Sequence, residues 1–116
     1  GFWEPNAADL HRIRKEFEMD DEEIRTIVSD ATFKKFFGEL KGEELKTAPK
    51  GFDKTHPAID LIRKKQYLLT RNFSDKEVLA PNFQEEVLAT FQAMRPFFDY
   101  MSEVLSTDLN GESLYN

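Results

Sequence analysis

The chain has 116 residues, of which 40% are hydrophobic and 33% charged, enough to bury one core without covalent staples. It has no cysteine, which excludes disulfides, thiolate metal sites and cysteine nucleophiles, and its net charge of −6 argues against general nucleic-acid binding. Neither a signal peptide nor an apolar run of about 18 residues is present, so a cytoplasmic protein without a membrane segment is expected.

The chain opens on Gly1-Phe2-Trp3 without a methionine, which points to a trimmed fragment. Glu4-Pro5-Asn6 followed by Leu10, Ile13 and Phe17 predicts a capped amphipathic helix over 6–18, with His11 off the apolar stripe at the surface. Asp20-Asp21-Glu22-Glu23 places four carboxylates at the start of a second helix, where the helix dipole favours them. There Asp20 caps, Glu23 reaches back, and Ile24, Ile27 and Val28 form the apolar face. A third helix, Ala31 to Phe37, ends at Gly38. Lys41-Gly42 between two short stretches predicts a small hairpin over 39–47.

The turn-rich stretch Ala-Pro-Lys-Gly-Phe-Asp-Lys-Thr-His-Pro-Ala, 48–58, leads into a helix that Pro57 starts, with Ile59, Leu61 and Ile62 turned inward. Gln66 to Phe73 has the composition of a strand. Ser74 and Glu77 form a capping box for a short helix ending before Pro81, and Asn82 and Glu85 repeat the device at the longest helix. That helix carries a stripe of Phe83, Val87, Phe91, Met94, Phe98, Met101 and Leu105, and Pro96 is expected to kink or split it. Beyond Thr107 the chain is polar and expected to fray. The reading is a single domain over 1–116, α+β and mainly helical, with five or six helices and a small strand component near 39–47 and 66–73.

Charge is unevenly placed. Residues 41–71 hold eight Lys and Arg against four acids, net +4, while the remainder carries −10. A solvated surface accounts for such a run, and a patch for an anionic ligand or an acidic partner is the sharper alternative. No Gly-rich phosphate loop, serine elbow or metal-spaced histidine pair occurs, so neither a cofactor nor a metal is expected. His56 is the one serious acid/base candidate, with Asp53 able to orient its ring and Lys50, Arg63 and Arg71 able to bind an oxyanion. The competing reading makes the same residues a tight turn leading into a helix, with the imidazole bonded to backbone.

Residues 45–83, "LKTAPKGFDKTHPAIDLIRKKQYLLTRNFSDKEVLAPNF", resemble the bacterial family known as domain of unknown function 2461, also called conserved hypothetical family 02453. The likeness extends through "GFWEPNAADLHRIRKEF" and "ATFQAMRPFFDYMSEVL", essentially the whole chain. The resemblance is to the C-terminal half of a longer member, since no Arg-Asp-x-Arg-Phe motif occurs here. It implies no activity. It does imply that a site shared between halves would be incomplete, and that Phe2, Trp3 and other aromatics left uncovered would favour self-association.

Three functions follow. The leading one is a binding or interaction module, with Lys46, Lys50, Arg63, Lys64, Lys65 and Arg71 facing an anionic small molecule or an acidic protein surface. The second is an enzyme acting on a phosphorylated or carboxylated small molecule, with His56 as acid/base and Lys50 and Arg71 as clamps. The third is a structural half-domain whose chemistry lies in a missing N-terminal part.

Overall fold

The described residues form six helices. The computed structural model describes the backbone of Phe2–Trp3 and residues 5–107 in full; the side chains of Phe2 and Trp3, and the polar tail expected to fray, lie outside the described residues. The helices are α1 (Ala7–Met19), α2 (Glu22–Ser29), α3 (Ala31–Phe37), α4 (Ile59–Ile62), α5 (Asp75–Val78) and α6 (Phe83–Leu105). β1 (Phe2–Trp3) pairs antiparallel with β2 (Tyr67–Leu68), Phe2 opposite Leu68 and Trp3 opposite Tyr67. The chain is thus mainly helical with a small strand component, and no helix among the described residues is long and apolar enough to cross a membrane.

The caps explain the boundaries. Asn6 accepts the Asp9 N–H at 2.8 Å and opens α1, and Ser74 with Glu77 closes the predicted capping box on α5. Gly38, at φ 73°, ends α3 in a conformation that favours glycine. The predicted Asp20–Glu23 box does not form. Asp20 Oδ1 does accept the Glu22 N–H at 2.9 Å, but the Asp20 N–H is bonded to Glu16 O at the end of α1 rather than to Glu23, and Asp21, the residue before α2, turns its carboxylate to Arg25 at 3.0 Å. Asn82 likewise opens α6 without a side-chain cap.

The hairpin predicted at 39–47 is replaced by a longer-range pairing. Lys41 and Leu68 exchange backbone hydrogen bonds at 3.0 and 2.8 Å, Lys65 N–H donates to Glu43 O at 2.7 Å, and Leu45 N–H to Arg63 O at 2.9 Å. Residues 41–45 therefore run antiparallel to 63–68, and β2 has β1 on its other side. Gly42 permits the close approach. It sits at φ 145°, and a Cβ there would collide with the Gln66 carbonyl. Only Tyr67–Leu68 of the predicted 66–73 strand is regular, because each partner offers just a few residues to pair.

The core is aromatic. Phe17 meets Tyr67 edge-on, with centroids 5.9 Å apart, and stacks on Tyr100 at 6.5 Å, joining α1, β2 and α6. Arg14 crosses from α1 to donate to Ile62 O at 2.8 Å and Lys64 O at 3.1 Å, satisfying carbonyls that the single-turn α4 leaves open. Pro96 does not split α6, which runs unbroken for 23 residues. Its buried face is Thr90, Met94, Phe97, Tyr100, Met101 and Val104, a face turned from the predicted stripe. Of that stripe, Met94 and Met101 are buried, while Phe91 is 63% exposed.

Candidate functional site

The loop 48–58 is built as successive turns. Phe52 N–H donates to Pro49 O at 3.1 Å, His56 N–H to Asp53 O at 3.1 Å and Ile59 N–H to His56 O at 3.0 Å. Asp53 does not reach the imidazole. Its Oδ1 accepts both the N–H and the hydroxyl of Thr55, at 2.8 and 2.7 Å, and the first of these chiefly holds its carboxyl below the usual range. The His56 ring lies between two backbone groups. Nδ1 accepts the Ala58 N–H at 3.0 Å, so in the neutral ring Nε2–H donates to Glu18 O at 3.0 Å. The ring fastens the loop to the end of α1, and Phe52 adds a second contact under the Lys15 ammonium, 4.9 Å from the ring centroid.

The predicted cations go separate ways. Arg71 donates to Thr90 Oγ1 at 2.6 Å and Glu86 Oε2 at 2.9 Å, with its guanidinium 4.5 Å from the Phe36 ring and 4.6 Å from the Phe73 ring. Arg63 donates from Nε to Leu45 O at 2.9 Å, holding the ribbon together. Lys50 is exposed and makes no hydrogen bond or ion pair among the described residues. Lys46 and Lys65 are exposed as well. Among the described residues no side-chain hydrogen bond or ion pair joins Lys50, Asp53, His56, Arg63 and Arg71 to one another.

A different set of residues converges. A cleft of about 450 Å³ opens between α2, the 39–44 segment and α4, and its polar wall includes Arg25, Glu39, Lys41, Glu44, Asp60 and Lys64. Arg25 and Asp60 form a two-pronged ion pair with both N–O distances 2.7 Å, and Asp21 accepts the Arg25 Nε–H at 3.0 Å. The hydrogen bonds from Arg25 hold the Asp60 carboxyl below the usual carboxylate range, and Asp60 in turn raises Arg25. Lys41 Nζ has only the Thr70 hydroxyl, at 2.8 Å, and Lys64 has no side-chain partner among the described residues. Two ammonium groups without an ion-pair partner among the described residues therefore border one cavity, beside the Arg25–Asp60 pair and with the Glu39 and Glu44 carboxylates on the same wall.

Both lysines fall inside the basic island, so the charge bias along the chain was a usable signal for them. Arg25 lies outside it, on a helix whose spacing gives no hint of a partner 35 residues on. Among the described residues no group of three or more His, Asp and Glu side chains could hold a metal ion.

No curated protein and no solved structure matched the chain. The family described as conserved hypothetical protein (DUF2461) matches residues 1–100. With that match spanning most of its length, the chain belongs to the DUF2461 family.

Proposed function

We propose that this domain is a binding module for a small anionic ligand, taken up in the cleft between α2, the 39–44 segment and α4. The observation that carries this reading is the pair of lysines, Lys41 and Lys64, on one cleft wall with no carboxylate in ion-pair contact with either. Arg25 is less available, since its guanidinium is held by Asp60 and Asp21. A volume of about 450 Å³ suits a metabolite rather than a polymer, and the polar wall suits a phosphate or carboxylate rather than an apolar ligand. An acid/base role for His56 is disfavoured, because each ring nitrogen is already engaged by backbone.

The test is a thermal-shift and calorimetric titration with inorganic phosphate, sulfate, citrate and small phosphorylated and carboxylated metabolites. Ligand at a hundred times its dissociation constant adds about 2.7 kcal/mol, a rise of several degrees in Tm. The rise should be lost in Lys41→Gln and Lys64→Gln and retained in Lys50→Gln. A rise that survives both cleft substitutions would place the ligand elsewhere, and no rise with any of these anions would overturn the reading.

A further inference from the structure

The stripe read from the sequence of α6 and the face that α6 buries do not coincide, and the difference leaves an apolar flank at the surface. Phe91 is 63% exposed and Leu88 58%, in the middle of a helix whose opposite side is core. Phe91, Phe98 and Leu105 recur every seven residues, so they lie along one line of the helix. Beside that line is a hollow of about 180 Å³ lined by Phe98, Met101, Ser102 and Leu105. These four stand at i, i+3, i+4 and i+7. That is the diamond of side chains into which a neighbouring helix inserts a knob.

The charges beside the flank identify the occupant. Arg95 and Asp99 are 79% and 71% exposed and meet only at 3.8 Å within their own helix, a weak pair. They stand equally far on either side of Phe97. A two-fold axis at the level of Phe97, on the outer side of the helix away from the buried Phe97 ring, would set a second α6 antiparallel to the first and bring each Arg95 across from the Asp99 of the other copy. The same operation carries the exposed Phe91 of each copy to the Phe98–Leu105 hollow of the other. Knob, hole and charges are all self-complementary about that one axis.

We propose that the outer flank of α6 is a self-association surface, on which a second copy of this chain packs its own α6 antiparallel, with Phe91 in the hollow of Phe98, Met101, Ser102 and Leu105 and Arg95 paired to Asp99 across the axis. Residues 88–105 cover about 26 Å of helix at ~1.5 Å per residue. A single helix pair of that length falls short of a standard interface, so the dimer is weak, with a dissociation constant in the micromolar range or above.

Sedimentation velocity of the full chain from micromolar to millimolar concentration tests this. The expected result is a reversible monomer–dimer equilibrium in the wild type. Arg95→Asp and Asp99→Arg each place like charges opposite one another twice per dimer and should weaken self-association about tenfold or more. Mixed in equal amounts, the two variants should associate again with nearly wild-type affinity, because every cross-axis pair is then opposite in sign. Phe91→Ser should abolish the dimer while leaving the circular dichroism spectrum unchanged, since the residue is exposed. A wild type that stays monomeric throughout would overturn the proposal. So would a dimer indifferent to the charge reversals, or reversals that weaken it without rescue on mixing.

Discussion

Arg71 sits in the basic island and reads as an anion clamp, yet its surroundings assign it to the fold. Replacing it with lysine keeps the charge and removes the planar fork. Arg71 makes charge-assisted hydrogen bonds to Thr90 and Glu86 and lies over both the Phe36 and Phe73 rings, with its side chain 17% exposed. An ammonium can keep one of the two bonds but lacks the planar guanidinium that contacts both rings at once. Losing one partly screened hydrogen bond and one cation–π contact costs about 1–2 kcal/mol. Arg71→Ala, which also strips packing from both rings, costs about 3 kcal/mol. At roughly 4 °C per kcal/mol for a domain of this size, Arg71→Lys should lower Tm by about 4–8 °C. Urea denaturation followed by far-ultraviolet circular dichroism measures the same difference from the midpoint. A lysine variant within about 0.5 kcal/mol of wild type would refute the account and return Arg71 to the pool of free cations.

His56→Ala removes both backbone contacts of the imidazole, exposing two unsatisfied partners at a cost of about 2–3 kcal/mol, while anion binding in the α2–α4 cleft stays intact; loss of binding without loss of stability would contradict this. Gly42→Ala forces a Cβ onto the Gln66 carbonyl at a positive φ and should lower stability by 1 kcal/mol or more, as a denaturant midpoint would report. Burial pushes the Tyr67 and Tyr100 phenols well above the ordinary range. Because the folded-state pKa exceeds the unfolded value near ~10, their contribution is complete below that pH and is lost as pH rises above it. Tyrosinate absorbance should therefore develop for these two only together with alkaline unfolding; all three tyrosines ionising near pH ~10 with the fold intact would count against it. The Tyr100 hydroxyl has no hydrogen-bond partner among the described residues, so Tyr100→Phe should leave stability unchanged or raise it by up to ~1 kcal/mol in the same denaturation assay.

What the sequence made legible was mostly local. The Ser74–Glu77 capping box, the Asn6 cap and the Gly38 stop each involve groups within a few residues, and each is found as predicted. The errors arise where a residue has two local uses or a distant one. Asp20 serves both helices, its N–H closing α1 on Glu16 O and its carboxylate accepting the Glu22 N–H, which leaves no Asp20 N–H for Glu23 to reach back to. Lys41-Gly42 looked like a hairpin turn because nothing nearby reveals that Gln66 passes close enough to require a glycine. On α6 the spacing identified a helix with an apolar side. Which apolar positions face inward depends on where α1, α2 and α3 lie, and a periodicity cannot carry that information. The site residues followed the same rule. His56 was visible as a candidate, but its engagement by Glu18 and Ala58 depends on where α1 ends.

The fastenings on either side of the 48–58 loop bear on how the chain would tolerate being cut. Lys50 and Lys54 stand exposed in a segment whose far end is tied to α1 through His56 and Arg14 and whose near end is tied to Arg63 through Leu45. A tryptic nick there would break one covalent link while leaving both new termini anchored. The halves before and after the cut share one core, from Phe17 on one side to Tyr67 and Tyr100 on the other. The loop is therefore the natural place to divide this domain into two complementing fragments.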